Sequence, residues 1–213
     1  MINLTNNLDK YIVSIVKNYN NKEEGVCEVP CREEIIKAIS GMYGKGDTVL
    51  KLIESIETLV INDLDVGDAY YTKTQGEPTL EKFMINEARL RQANESRGKM
   101  KNEIDKLLEQ IAGIPEGQSN KRVTNIDSFS AYMDRLATER IKEYNFKFKQ
   151  NKNTEAYHQV NVVKVVLKKI KQLFNEINLQ GGYNYIGEKR TFDEGKLIAD
   201  VNQVVKQLKN DQL

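Results

Sequence analysis

Apolar residues recur every three or four positions through most of this chain, which is the period of an amphipathic α-helix. The first such stripe consists of Leu8, Ile12, Ile15 and Tyr19. A later stripe keeps the heptad spacing of a coiled-coil seam for about two repeats and consists of Val163, Leu167, Ile170, Phe174 and Ile177. The sequence therefore predicts an all-α helical bundle of about seven helices with long antiparallel, coiled-coil-like hairpins.

Proline and capping residues mark the expected starts of several helices. Pro30 suits the first turn of a second helix, because its missing N–H is not needed there. Asp127 or Ser128 could cap the helix that begins near residue 129, since both side chains can accept a hydrogen bond from a free backbone N–H. A last amphipathic helix is expected over 197–208.

Segment 63–78, DLDVGDAYYTKTQGEP, is typical of a loop and offers the best boundary within the chain. It would separate a compact helical region over 1–76 from a long-helix hairpin region over 77–213, although the two could form one continuous domain. The stretch over 79–114 has apolar ends but a polar middle that contains Gly98. We expect this helix either to leave its partner there and become solvated, or to break near the glycine.

Two adjacent charge pairs, Asp134-Arg135 and Glu139-Arg140, fall on the helix that follows residue 128. Their spacing allows i,i+4 ion pairs, so solvated surface pairs are the expected arrangement. The alternative is a polar network buried between helices.

Basic and acidic residues nearly balance over the whole chain but not along it. The chain has 32 Lys and Arg residues against 31 Asp and Glu residues, a formal net charge of +1. This balance excludes a broadly basic nucleic-acid coat and an acidic solvating tail. Residues 1–80 nevertheless carry 13 acidic and 8 basic residues, whereas residues 139–175 carry 9 basic and 3 acidic ones.

The basic section contains two groups of candidate binding residues. Lys147 and Lys149 alternate with aromatic residues, and Lys164, Lys168 and Lys171 repeat the spacing of the heptad seam one position along. A positive surface with interleaved aromatic residues can bind a phosphate backbone. It can equally dock onto the acidic N-terminal region of the same or another chain, and we favour a protein partner or a plain solubilising role.

The segment over 181–192, GGYNYIGEKRTF, combines three glycines with aromatic and basic side chains. Tyr183 and Tyr185 offer apolar rings beside Lys189 and Arg190, so the segment could cradle an anion or stack on a base. The structural alternative, which we favour, is a helix-ending glycine pair followed by a short hairpin whose aromatic residues cover the core.

Histidine and cysteine are too scarce to suggest a catalytic or metal site. His158 is the only histidine, and Cys27 and Cys31 are the only cysteines, with no second pair to complete a zinc site. Glu54 and Glu57 share a helix face, but the second acidic pair that a helical pyrophosphatase needs is missing. We therefore expect no catalytic residue, no metal and no cofactor.

These patterns lead to one leading functional hypothesis and two alternatives. The leading one is a non-catalytic scaffold or interaction subunit that binds a protein partner, or itself, through helix packing and charge complementarity. The first alternative is a nucleic-acid-associated accessory protein that uses residues 142–171. The second is an enzyme that handles a phosphorylated ligand with acidic helix faces and the 181–192 segment.

The location of the protein follows from what the sequence lacks. The first residues have neither the basic start nor the unbroken apolar stretch of a signal peptide. No stretch approaches the ~18 apolar residues that a membrane-spanning helix requires. We expect a cytoplasmic protein with no membrane contact.

Overall fold

The computed structural model describes residues 2–21, 30–74, 79–113 and 128–180, and within them the chain is all-helical. Six α-helices and one π-helical segment follow in order: α1 Ile2–Asn21, α2 Pro30–Tyr43, α3 Gly46–Thr74, α4 Leu80–Ala112, α5 Phe129–Tyr144, the π turn Asn145–Lys149, and α6 Asn153–Gln180. The all-α prediction is confirmed. The helix predicted over 197–208 lies outside the described residues.

Two antiparallel helix pairs form the body of the bundle. In the first pair, Lys45 near the start of α3 donates to the Gln110 carbonyl near the end of α4. In the second pair, the ring of Phe129 at the start of α5 meets the ring of Phe174 late in α6 edge to face, with centroids 5.4 Å apart. α1 and α2 pack beside these pairs, so one apolar core runs through all six helices.

The predicted apolar stripes supply this core, because their period keeps them on one side of each helix. Leu8, Ile12 and Ile15 of the first stripe are buried, and Tyr19 packs against the core from its edge. The heptad seam of α6 is buried at every position except Leu167, which is partly buried. Among the described helices, none has the length and hydropathy needed to cross a membrane.

Helix starts and ends follow the capping residues. α2 begins at Pro30, and Ser128 caps α5 by accepting a hydrogen bond from the backbone N–H of Ala131 at 3.3 Å. Gly113 ends α4 with φ at 70°, in the left-handed region that favours glycine.

The loop predicted over 63–78 is wrong for most of its length, because α3 continues as a helix to Thr74. Tertiary contacts outweigh the poor helix propensity of this stretch. The Tyr19 hydroxyl donates to Asp65 Oδ1 at 2.6 Å, and Leu64 and Ala69 are buried. The division into regions 1–76 and 77–213 stays a prediction.

Both expectations for the polar middle of α4 are also wrong. The helix neither breaks at Gly98 nor leaves its partner, because its polar side chains pair with polar side chains of α3. Asn62 of α3 donates from Nδ2 to Ser96 Oγ at 2.8 Å. This polar contact continues into a buried charge cluster one residue further along each helix.

The guanidinium of Arg97 joins three helices at this cluster. Its Nε lies 2.6 Å from Oδ1 of Asp63 on α3, and its Nη2 donates to Oδ2 of Asp134 on α5 at 2.8 Å. Lys101, one turn along α4, reaches the same Asp134 oxygen at 3.2 Å. We refer to these four side chains as the Arg97 cluster.

A second buried carboxylate links α4 to the start of α5. Asp105 accepts hydrogen bonds from the backbone N–H of Ser130 at 2.8 Å and from its hydroxyl at 2.7 Å. Burial raises the pKa of Asp105 despite these bonds, which favour the charged form. The carboxylate thus fixes the first turn of α5 against α4.

The expectation of solvated ion pairs on α5 is wrong as well, because Asp134 and Glu139 are buried. Glu139 is only 1% exposed yet pairs with Arg135 at 2.9 Å, which has the predicted i,i+4 spacing. Arg140 turns towards α1, where its Nε donates to Asp9 Oδ1 at 2.7 Å. The carboxylates of α5 are thus covered by neighbouring helices, whereas Arg135 reaches Glu139 from an exposed position.

Replacing Arg97 with methionine tests how much the Arg97 cluster contributes to the free energy of unfolding. Arg97→Met takes a cation from the buried Asp134 carboxylate, which keeps Lys101, and a hydrogen-bond donor from Asp63, so we expect the free energy of unfolding to fall by about 2–3 kcal/mol. Arg89→Met, at an exposed position of the same helix, should change it by less than about 0.5 kcal/mol. Urea unfolding followed by circular dichroism measures both. Equal effects of the two variants would contradict the account.

The pH dependence of stability tests the state of Asp63. Burial, followed by repulsion from Asp134, raises the pKa of Asp63 from 3.8 to about 8. Between these two values the folded protein keeps a proton that the unfolded chain has lost, so this group lowers the free energy of unfolding as the pH rises. The stabilising contribution of protonated Asp63 is complete below about pH 4 and is lost above about pH 8.

Asparagine does not titrate, so Asp63→Asn lacks this loss of stability. We therefore expect the free energy of unfolding of the variant, relative to that of the natural chain, to increase from pH 4 to pH 8. Urea unfolding of both proteins at several pH values measures this difference. A constant difference across that range would show that Asp63 has an ordinary pKa.

Candidate interaction surface

The lysines of α6 face away from the core because the apolar seam fixes the rotation of this helix. Val163, Val166 and Ile170 point inward and are buried. Lys164 and Lys168 therefore lie on the opposite side and are exposed. The predicted stripe is confirmed at these two positions, which are one turn apart.

Two further lysines complete the basic character of the helix. Lys169 is exposed beside Lys168, whereas Lys171, the third predicted member of the stripe, is half-buried at the border of the seam. Between Glu155 and Glu176 the helix carries no acidic residue. No ion pair within the described part of the chain involves any of these four lysines; Lys164 approaches only the side-chain amide oxygen of Asn161, at 3.5 Å.

Two large side chains interrupt the basic face. Val165 is 60% exposed and Tyr157 is 63% exposed, although their neighbours in sequence, Val166 and Ala156, are buried. Their positions on α6 place them on the same side as Lys164 and Lys168. We call this side, made of Tyr157, Lys164, Val165, Lys168 and Lys169, the α6 outer face.

The other two predicted lysines lie on the π turn rather than on α6. Lys149 reaches Asp68 of α3 at 3.8 Å. Lys147 holds its ammonium 5.2 Å from the centroid of the Phe148 ring, a cation–π contact. The five predicted lysines of the described region therefore form two groups with different surroundings.

The π turn itself could not be predicted from the apolar pattern. Its backbone is wider than an α-helix, with the N–H of Gln150 bonded to the carbonyl of Asn145 at 3.0 Å. Asn151 then adopts a φ of 53°, a left-handed conformation that asparagine tolerates better than most residues, and the chain turns into α6. Phe148 is left 60% exposed.

Ion pairs within the chain use part of the acidic surplus of its first third. Asp9 pairs with Arg140 and Asp68 with Lys149, so each pair joins an early carboxylate to a cation of the basic section. The predicted contact between the acidic and basic sections thus occurs in part within one chain. The cations of the α6 outer face take no part in it.

Other predicted candidates are separated from this surface or lie outside the described residues. The segment over 181–192, with its candidates Tyr183, Tyr185, Lys189 and Arg190, lies outside the described residues. The side chains of Cys27 and Cys31 also lie outside the described part of the chain. His158 is exposed on α6.

The two glutamates singled out on α3 have local partners. Glu54 lies 3.8 Å from Arg32, and Glu57 accepts a hydrogen bond from the Tyr11 hydroxyl at 3.0 Å. Burial and the Glu57 carboxylate raise the pKa of Tyr11 above its ordinary value, which keeps the hydroxyl protonated as the donor.

Comparison of the chain with protein-family models, with curated proteins and with solved structures finds no match.

Two adjacent valines test the orientation of α6. Val166→Ala removes methyl groups from the core and should lower the free energy of unfolding by about 1.5–3 kcal/mol. Val165→Ala removes the same atoms from a 60% exposed side chain and should change it by less than about 0.5 kcal/mol. Urea unfolding of the purified variants measures both. If Val165→Ala cost as much as Val166→Ala, the α6 outer face would not be free in the isolated chain.

Proposed function

We propose that the protein is a non-catalytic interaction subunit, and that its α6 outer face docks onto an acidic surface of a protein partner. The observation that carries this proposal is the exposure of Val165 and Tyr157 among lysines that lack carboxylate partners within the described residues. A face of this kind has both an apolar contact area and an unused positive charge. Docking to a surface with the opposite pattern would use both.

The two components of the face contribute in different ways. Burying the exposed part of Val165 and Tyr157 supplies a favourable hydrophobic term at roughly 25 cal/mol per Å². The alkyl chains of Lys164 and Lys168 can lie along the same apolar area while their ammonium groups stay near solvent. Their charge then steers the encounter and disfavours basic partners.

A nucleic acid is the second candidate partner. The observation that favours it is the run of four lysines on α6 with no acidic residue between Glu155 and Glu176. Lysines in this arrangement can contact successive phosphates, and Tyr157 could contact a base or sugar. Val165 offers nothing to a phosphate backbone, and for this reason we favour a protein.

Photo-crosslinking from position 165 tests the choice. We expect a benzoylphenylalanine in place of Val165 to crosslink to a protein, through a peptide rich in Asp and Glu, in the cells that produce the chain. The Lys164→Glu/Lys168→Glu double variant should reduce the yield at least about fivefold, since it reverses two of the steering charges. Mass spectrometry identifies the crosslinked peptide.

A matched control separates specific docking from the effect of overall charge. Lys51→Glu/Lys106→Glu makes the same change in net charge at two exposed lysines outside α6 and should leave the yield unchanged. Crosslinks to nucleic acid alone would support the second candidate. A yield that falls equally with both double variants would contradict docking at the α6 outer face.

A further inference from the structure

A cleft of about 160 Å³ lies between α1 and the π turn, away from the residues that define the α6 outer face. Val13 and Val16 of α1 form one wall, and the rings of Tyr144 and Phe148 form the other. The cleft is open to solvent along one side, and its lining is mainly apolar. An apolar cavity of about 150 Å³ can hold one benzene ring, so there is room for one large side chain.

The second wall of the cleft consists of Tyr144, the last residue of α5, and Phe148 of the π turn. The rings of Tyr144 and Phe148 contact each other with centroids 4.9 Å apart and planes tilted by 40°. Phe148 remains 60% exposed after this contact. π-helical segments occur often at functional sites, where the extra residue redirects side chains.

The charged residues at the cleft divide into a neutralised set and an available set. Arg140 is held by Asp9 and Glu143, so that group of charges is balanced within the chain. The ammonium groups of Lys17 and Lys147 form no ion pair with any carboxylate in the described ranges. Both lysines are exposed and line the same cleft. The rim therefore offers positive charge beside an apolar interior.

We infer that this cleft is a docking site for an acidic peptide segment that inserts one large apolar side chain. The inserted side chain contacts Val13, Val16 and Phe148, and carboxylates that flank it in the peptide pair with Lys17 and Lys147. This arrangement satisfies both the apolar walls and the charged rim. It depends on residues different from those of the α6 outer face, so either proposal can fail alone.

The interior of the cleft argues against a nucleobase as its occupant. A base must hydrogen-bond its polar edge when it leaves water, or its burial is costly. The polar groups of Arg140 and Glu143 are already engaged with each other, and Arg140 also with Asp9.

Nuclear magnetic resonance titration with a defined peptide tests the inference. The ligand is acetyl-Asp-Glu-Phe-Glu-Asp-amide, added to the full chain with labelled valine methyl groups and backbone amides. We expect shifts centred on Val13, Val16 and Phe148. A peptide with alanine in place of phenylalanine should bind at least about tenfold more weakly, because it loses the buried ring.

Charge variants test the rim. Lys17→Gln/Lys147→Gln removes two exposed charges and should weaken binding of the phenylalanine peptide about fivefold. Lys10→Gln/Lys51→Gln, at two exposed lysines outside the cleft, should leave the affinity unchanged. Val165→Asp should also leave it unchanged, which separates this site from the α6 outer face.

Four results would overturn the inference. The first is a peptide titration that leaves the valine methyl groups of the cleft unshifted. The second is equal affinity of the phenylalanine and alanine peptides. The third is equal affinity of the phenylalanine peptide for the natural chain and for Lys17→Gln/Lys147→Gln. The fourth is a single-stranded oligonucleotide that shifts the cleft residues when the peptide does not.

Discussion

The arrangement of the bundle depends on one partly buried cation, the guanidinium of Arg97. Arg97 lies between Asp63 of α3 and Asp134 of α5, and it holds both from the middle of α4. Removing charges from water costs several kcal/mol for each ion, so such a cluster is tolerated only when its members pair closely. Sliding α3 along α4 by one turn would leave these charges unpaired. The cluster therefore favours the observed register of the α3–α4 hairpin and the observed side on which α5 packs.

The same pairing principle determines which charges remain available for partners. Acidic residues from the first third of the chain are paired with later cations through Arg140 and Lys149. A chain with a net charge of +1 can then still present a positive face, because its negative charges are in part used internally. Lys164 and Lys168 lie on that face beside exposed apolar area. The opposite charges of the two sections thus pair in part within the chain, while the lysines of the α6 outer face stay exposed.

Helix positions were predictable from the sequence because the period of apolar residues is local information. Pro30 and Ser128 mark helix starts for the same reason. The failures have tertiary causes. The end of α3 looked like a loop because its contact with Tyr19, through Asp65, is remote in sequence. The polar middle of α4 looked solvated because its partners lie on α3. The exposed lysines of α6 could be predicted from its seam. The cleft could not be predicted, because it is lined by α1, the end of α5 and the π turn, and no residue pattern predicts a π turn.

Lysine footprinting compares the free and the cellular protein and tests the central claim most directly. Brief acetylation followed by mass spectrometry gives the reactivity of Lys164 and Lys168 relative to Lys51, an exposed lysine on α3. In the purified chain we expect all three to react at similar rates. In the cells that produce the protein, Lys164 and Lys168 should be protected while Lys51 is not, because a partner covers the α6 outer face. The same relative reactivity in both settings would contradict the claim that this face is a docking surface.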